Sequence, residues 1–164
     1  MSSRSAAALH EEHLATETFL DRLEAMSATP GGRRPDVADP AVAQVLRSSA
    51  AALGMELGRH FDFEERPLFE HLAGLGEGEI VAQLLAEHGA IRPIAAELAR
   101  RGATALQAGF TDGSWDEYRA LAAELCALLR SHVEIEERML LPLLDETLDA
   151  DSDARFHADY AGNV

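Results

Sequence analysis

Two stretches decide how this chain folds: RHFDFEERPLFEHL, Arg59 to Leu72, and SHVEIEERMLLPLL, Ser131 to Leu144. They stand 72 residues apart and share their polar residues at matching places, His60, Glu64, Glu65 and Arg66 in the first and His132, Glu136, Glu137 and Arg138 in the second. Read at steps of three and four, which place side chains on one face of a helix, each stretch continues an apolar stripe. The first stripe reads Leu53, Leu57, His60, Glu64, Leu68 and the second Leu121, Leu125, Leu128, His132, Glu136, Met139, Leu143. In both, a histidine and a glutamate take places where the stripe calls for leucine.

Working outward, two more helical patterns precede these. One runs from about Ser5 to Met26 with Leu9, His13, Thr16, Leu20 and Leu23 facing inward; the other spans about Glu79 to Gln107 with Val81, Leu84, His88, Ile91, Ala95 and Leu98. Each presents one histidine on its inner face. The pair Glu12–His13 recurs 75 residues later as Glu87–His88, close to the offset of 72, so the chain reads as a duplicated helical hairpin.

The breaks between helices are marked by composition. SATPGGRRPDVADP separates the first two, and Asp39 before Pro40 predicts an N-cap with proline at the first helical position. AGLGEG and AGFTDG supply the other two breaks, and Ser114 with Glu117 three residues on predicts a capping box opening the fourth helix, which extends to about Leu148. Pro93 predicts a kink in the third helix near His88. The end, DADSDARFHADYAGNV, is expected to be a loosely ordered polar tail; its Asp149, Asp151 and Asp153 lack the glycine and glutamate of a calcium loop. The expected fold is therefore all-α, an up-down-up-down four-helix bundle over residues 1–148 with a tail at 149–164.

Composition bounds the function. The 164 residues suit one domain, and no apolar run approaches the roughly 20 residues that cross a bilayer. A formal charge of −15 repels phosphate backbones and anionic lipid and attracts cations, so neither nucleic acid nor membrane is expected as a partner. The opening MSSRSAAALHEEH is too short in its apolar part for a signal peptide. Cys126, the one cysteine, is expected to pack as a small apolar side chain, and a cytoplasmic location follows.

If the four helices close on one another, His13, His60, Glu64, His88, His132 and Glu136 converge. Two buried carboxylates cost several kcal/mol each unless compensated, and the inner stripes hold no lysine or arginine. A metal cation is the natural partner. Four imidazoles and two carboxylates without a thiolate suit iron, manganese or zinc, and carboxylates able to bridge suit a two-metal site, with iron the first choice.

The residues also resemble a known family, the hemerythrin-like HHE cation-binding domains, over about Leu9 to Leu144. Carrying the likeness are Glu12–His13, HFDFEE at His60 to Glu65, EHGAIR at Glu87 to Arg92, and HVEIEERMLLP ending at Pro142. The resemblance implies a bundle holding a non-haem di-iron centre that meets dioxygen, nitric oxide or peroxide. His13, His60, His88 and His132 would be nitrogen ligands, Glu64 and Glu136 would bridge two irons, and an oxo or hydroxo group would complete the pair. The chain departs from the oxygen carriers at Arg92, where they place a further histidine, and at Glu70, with Pro67 three residues earlier in place of a counterpart to Pro142. Without that histidine each metal has four protein ligands and about two open positions.

The remaining polar residues near the stripes have plainer readings. His10 is expected to be solvated, and HEEH lacks the spacing of a zinc-protease motif. Glu65 and Glu137, with the pairs Asp62–Arg66 and Glu134–Arg138, are explained as solvated salt bridges. Glu12 and Glu87 are read either as surface residues or as hydrogen-bond partners of ligand histidines. Arg92 is expected to extend outward, and His71 and His157 to lie on the surface. Three functions follow: binding or sensing a small gas or oxidant, a di-iron oxidoreductase that removes peroxide or oxidises ferrous iron, and a metal-buffering or purely structural bundle.

Overall fold

The computed structural model describes residues 3–28 and 32–162. Helix α1 (Arg4–Ser27) opens at Ser3, whose hydroxyl accepts the N–H of Ala6. Helix α2 covers residues 40–74 and starts as expected, the Asp39 carboxylate accepting the Ala41 N–H with Pro40 at the first position. Helix α3 (Gly78–Ala108) runs in α geometry through Pro93 and stops at Gly109, whose φ of +75° a side chain would resist. Helix α4 covers residues 112–147 and α5 is Ala150–Gly162.

Two expectations about helix ends are corrected. Helix α4 begins at Asp112, before Ser114, because Thr111 is the cap: its hydroxyl accepts the Ser114 N–H at 3.1 Å and the Ser114 hydroxyl accepts the Thr111 N–H at 2.9 Å. Ser114 thus answers the cap from three residues on, the part given to Glu117 in the sequence reading. The supposedly loose tail is helix α5. Asp149 accepts the Ser152 N–H, Phe156 is buried, and Tyr160 packs on Phe63 with ring centroids 4.7 Å apart. Asp153 reaches across to accept the N–H groups of Arg4 and Ser5 at 2.9 and 3.0 Å, satisfying free donors at the start of α1.

Each long helix touches the next in the chain, and α4 touches α1. Side chains between them form two apolar clusters. One contains Leu20, Leu46, Leu98, Trp115 and Tyr118; the other contains Leu9, Phe69, Leu84, Leu140 and Phe156. Among the described residues no helix is long and apolar enough to cross a membrane.

Helices α2 and α4 are not α-helical throughout. Turns of π geometry occupy Ala52–Glu56, Glu64–Leu68 and Glu136–Leu140, and the last two lie 72 residues apart, each opening on a stripe glutamate. A π turn holds one residue more than an α turn, so the face carrying Glu136 continues at Leu140 and Leu144, both fully buried. Met139, expected on the inner stripe, is instead 51% exposed.

Candidate metal centre

Between the two apolar clusters lie six polar side chains almost wholly removed from water. His13, His60, His88 and His132 are buried, and Glu64 and Glu136 have no exposure at all. One histidine comes from each long helix and the two glutamates from the π turns of α2 and α4, so every residue expected at the site is found in one place.

The donors fall into two groups that share both glutamates: His13, His60, Glu64 and Glu136, and His88, His132, Glu64 and Glu136. Within each group the candidate ligand atoms lie within 4.8 Å of one another. His13 Nε2 is 3.0 Å from Glu136 Oε2, and His132 Nε2 is 3.1 Å from Glu136 Oε1. Glu64 divides likewise, Oε1 lying 3.4 Å from His60 Nε2 and Oε2 3.4 Å from His88 Nε2. Each carboxylate therefore turns one oxygen to each histidine pair.

These atoms converge with a single hydrogen bond among them, between His88 Nε2 and His132 Nε2 at 3.2 Å. Both oxygens of Glu64, both of Glu136 and Nε2 of His13 are buried and make no hydrogen bond; the 3.0 Å approach of His13 to Glu136 lacks the alignment of one. Buried carboxylate oxygens left unpaired are costly, and lone pairs of N and O atoms aimed at common points suit a divalent cation. The residues present thus fit a metal.

With protons as the only available cations, the histidines carry the compensating charge. Burial disfavours a charged imidazole at His88, but contacts with Glu136, Glu64 and Glu65 outweigh it and raise the pKa to about 9. Burial disfavours charge at His13 and His60 as well, and Glu136 and Glu64 respectively lead the contacts that raise them. Burial alone would push Glu136 up, yet His13, His132, His60 and His88 together hold it well below the carboxylate range.

The outward nitrogens are equally ordered. His60 Nδ1 lies 2.7 Å from Glu12, His88 Nδ1 2.9 Å from Glu65, His132 Nδ1 2.8 Å from Glu87, and His13 Nδ1 2.6 Å from Glu137. An Nδ1–H donating to each carboxylate leaves the Nε2 lone pair facing inward, the tautomer a metal requires. The partners form a closed cycle, since α1 supplies the acid for the histidine of α2, α2 for α3, α3 for α4 and α4 for α1.

Glu12 and Glu87 thus take the hydrogen-bonding role of their two readings. Glu65 and Glu137 are not merely solvated salt bridges, and their adjacency to Glu64 and Glu136 in both copies was the signal for them. His10 is exposed but also contacts Glu137, at 3.0 Å. Arg92 extends outward as expected, to Asp62 at 3.1 Å and Glu65 at 3.0 Å, so Asp62 is engaged there; Glu134–Arg138 forms as read, at 3.1 Å. His71 and His157 are half-buried rather than on the surface, and His71 lies edge-on to Phe156. Phe61, given no role by the sequence, stacks on His88 with centroids 3.7 Å apart and meets His132 edge-on.

Helices around a buried histidine–glutamate cluster define a cation-binding helical protein. Residues 4–155 match the hemerythrin HHE cation binding domain, and the chain belongs to that family. Comparison with curated proteins gave no match.

Proposed function

We propose that the chain is a non-haem di-iron protein that binds or senses a small oxidant or gas: dioxygen, nitric oxide or peroxide. The observation that carries this reading is the division of Glu64 and Glu136, each with one oxygen toward His13 and His60 and the other toward His88 and His132. A single ion would need only one of the two groups, whereas shared carboxylates match two ions side by side, in a bundle whose helices alternate in direction. Manganese or zinc is compatible with the same donors.

Two irons here would supply a redox-active pair with coordination positions that the protein leaves free. The chain's own residues hold the four Nε2 atoms inward through Glu12, Glu65, Glu87 and Glu137, and the apolar clusters around Trp115 and Phe69 pack beside them. Turnover as an oxidoreductase is the second reading, favoured by the absence of a further histidine at Arg92, which lies outward in its pair with Asp62 and Glu65.

Metal analysis of protein expressed with iron available tests the proposal. Two irons per chain are expected, followed by a saturable spectral change on adding dioxygen, nitric oxide or peroxide to the reduced protein. A chain that retains no more than one ion, or two irons indifferent to all three molecules, would overturn it. Sustained peroxide decomposition or ferrous oxidation would favour the second reading.

A further inference from the structure

The two halves of the chain are matched around the ligands but differ beside them. A cavity of about 140 Å³ opens between α1 and α2, walled by Thr16, Phe19, Leu53, Leu57 and Leu129, and the ring of His60 forms part of its lining. Glu12, Glu56 and Arg59 also border it, and Arg59 pairs with Glu12 at 3.4 Å. At the repeat offsets the second half carries Ile91 for Thr16, fully buried, and Ile94 for Phe19.

The backbone departs from the repeat at the same place. The π turn Ala52–Glu56 contributes Ala52, Leu53 and Glu56 to the wall, while the corresponding residues 124–128 lie within regular α-helix. An inserted residue widens a helix locally, and such turns gather at functional positions. His60 is also the most exposed of the four histidines, at 7% against 1% for His132, its counterpart.

We propose that this cavity is a binding pocket for a small, uncharged, apolar organic molecule of up to about benzene size, seated against the His60 ring. Apolar cavities of about 150 Å³ take up benzene or xenon, and a diatomic gas fills only part of such a volume. The walls are mostly apolar, Arg59 and Glu12 are paired with each other, and the Glu56 carboxylate at the border would repel an anion. The pocket adjoins the metal centre proposed above, and its name for a ligand class rests on that reading only where a bound molecule is taken to meet the metal; binding to the apolar walls does not.

The test is benzene titration of the metal-free and iron-loaded chain, followed by methyl NMR of Leu53, Leu57 and Leu129 in the metal-free form and by calorimetry in both, with xenon-pressurised crystals of the protein as purified. Saturable shifts confined to those methyls and xenon density beside His60 are expected. Thr16→Ile, which installs the residue of the other half, and Ala52→Leu should each weaken benzene at least tenfold while the chain stays folded by thermal melting. Absence of saturable binding in both forms, or unchanged affinity in whichever variant folds, overturns the proposal. Benzene binding in a chain that retains no iron would sink the di-iron reading and leave the pocket standing; iron without benzene does the reverse.

Discussion

Glu137 accepts from His13 Nδ1 at 2.6 Å, although Glu137 belongs to α4 and stands one residue past Glu136, which faces the other nitrogen of the same ring. Adjacent residues of one helix thus hold both edges of one imidazole. Removing the outer carboxylate frees the ring to rotate and to place its proton on Nε2. Glu137→Leu is expected to weaken metal binding about 10–100-fold, as losses of such partners generally do. Glu137→Gln retains a carbonyl oxygen to accept the Nδ1–H and should lose less. Competition against a chromophoric chelator measures both.

The shared carboxylates should behave differently. Glu64 serves both histidine pairs, so Glu64→Leu is expected to lower the metal content from two ions to one or none instead of weakening one position. Because a bound ion stabilises the fold by about 2.7 kcal/mol at one hundred times its Kd, the parent should melt well above its metal-free form. Glu64→Leu should show little difference between the two. A variant that still carries two ions per chain would refute the bridging role.

Much of this was legible because burial and chemistry conflict in the sequence. His60, Glu64, His132 and Glu136 interrupt stripes that otherwise read as core, and a repeat at 72 residues makes accident a poor explanation. The π turns were not legible, since an inserted residue leaves the types at three- and four-residue steps plausible either way; Met139 was misplaced for that reason. Helix α5 was hidden by composition. Its acidic residues look like a solvated tail, yet Asp149 caps it and Asp153 caps another helix 148 residues away in sequence. Glu65 and Glu137 were legible only as charges, because the direction a side chain takes across a helix boundary depends on the neighbouring helix.

The metal-free protein should depend on pH in a defined direction. His88 has a folded pKa of about 9, above the ordinary histidine value of about 6.5, so its protonation stabilises the fold. That contribution is complete below about pH 6.5 and is lost as pH rises through about 9. Glu136 acts oppositely: its lowered pKa gives stability above the ordinary carboxylate range that disappears as pH falls through the folded value. A bound cation takes the place of the imidazole protons, so metal uptake should release protons and flatten the alkaline loss. Urea midpoints of the two forms at about pH 6 and about pH 10 check this; an equal alkaline drop in both would contradict it.

Helix α5 adds Phe156 to the apolar cluster of Leu9, Phe69 and Leu140, and its contribution can be separated from the metal centre. Phe156 is buried among Phe69, Leu72 and Leu144, and loss of such a ring costs roughly 3 kcal/mol, so Phe156→Ala should lower the melting temperature by many degrees. Asp153 acts on the backbone of α1 through two hydrogen bonds, a capping role worth about 1 kcal/mol, and Asp153→Ala should destabilise less. Neither residue is a candidate ligand. Both variants are therefore expected to keep the metal stoichiometry of the parent at temperatures where they remain folded, measured by metal analysis beside thermal melting. Loss of metal in folded Phe156→Ala would mean that α5 positions the site as well as covering the core.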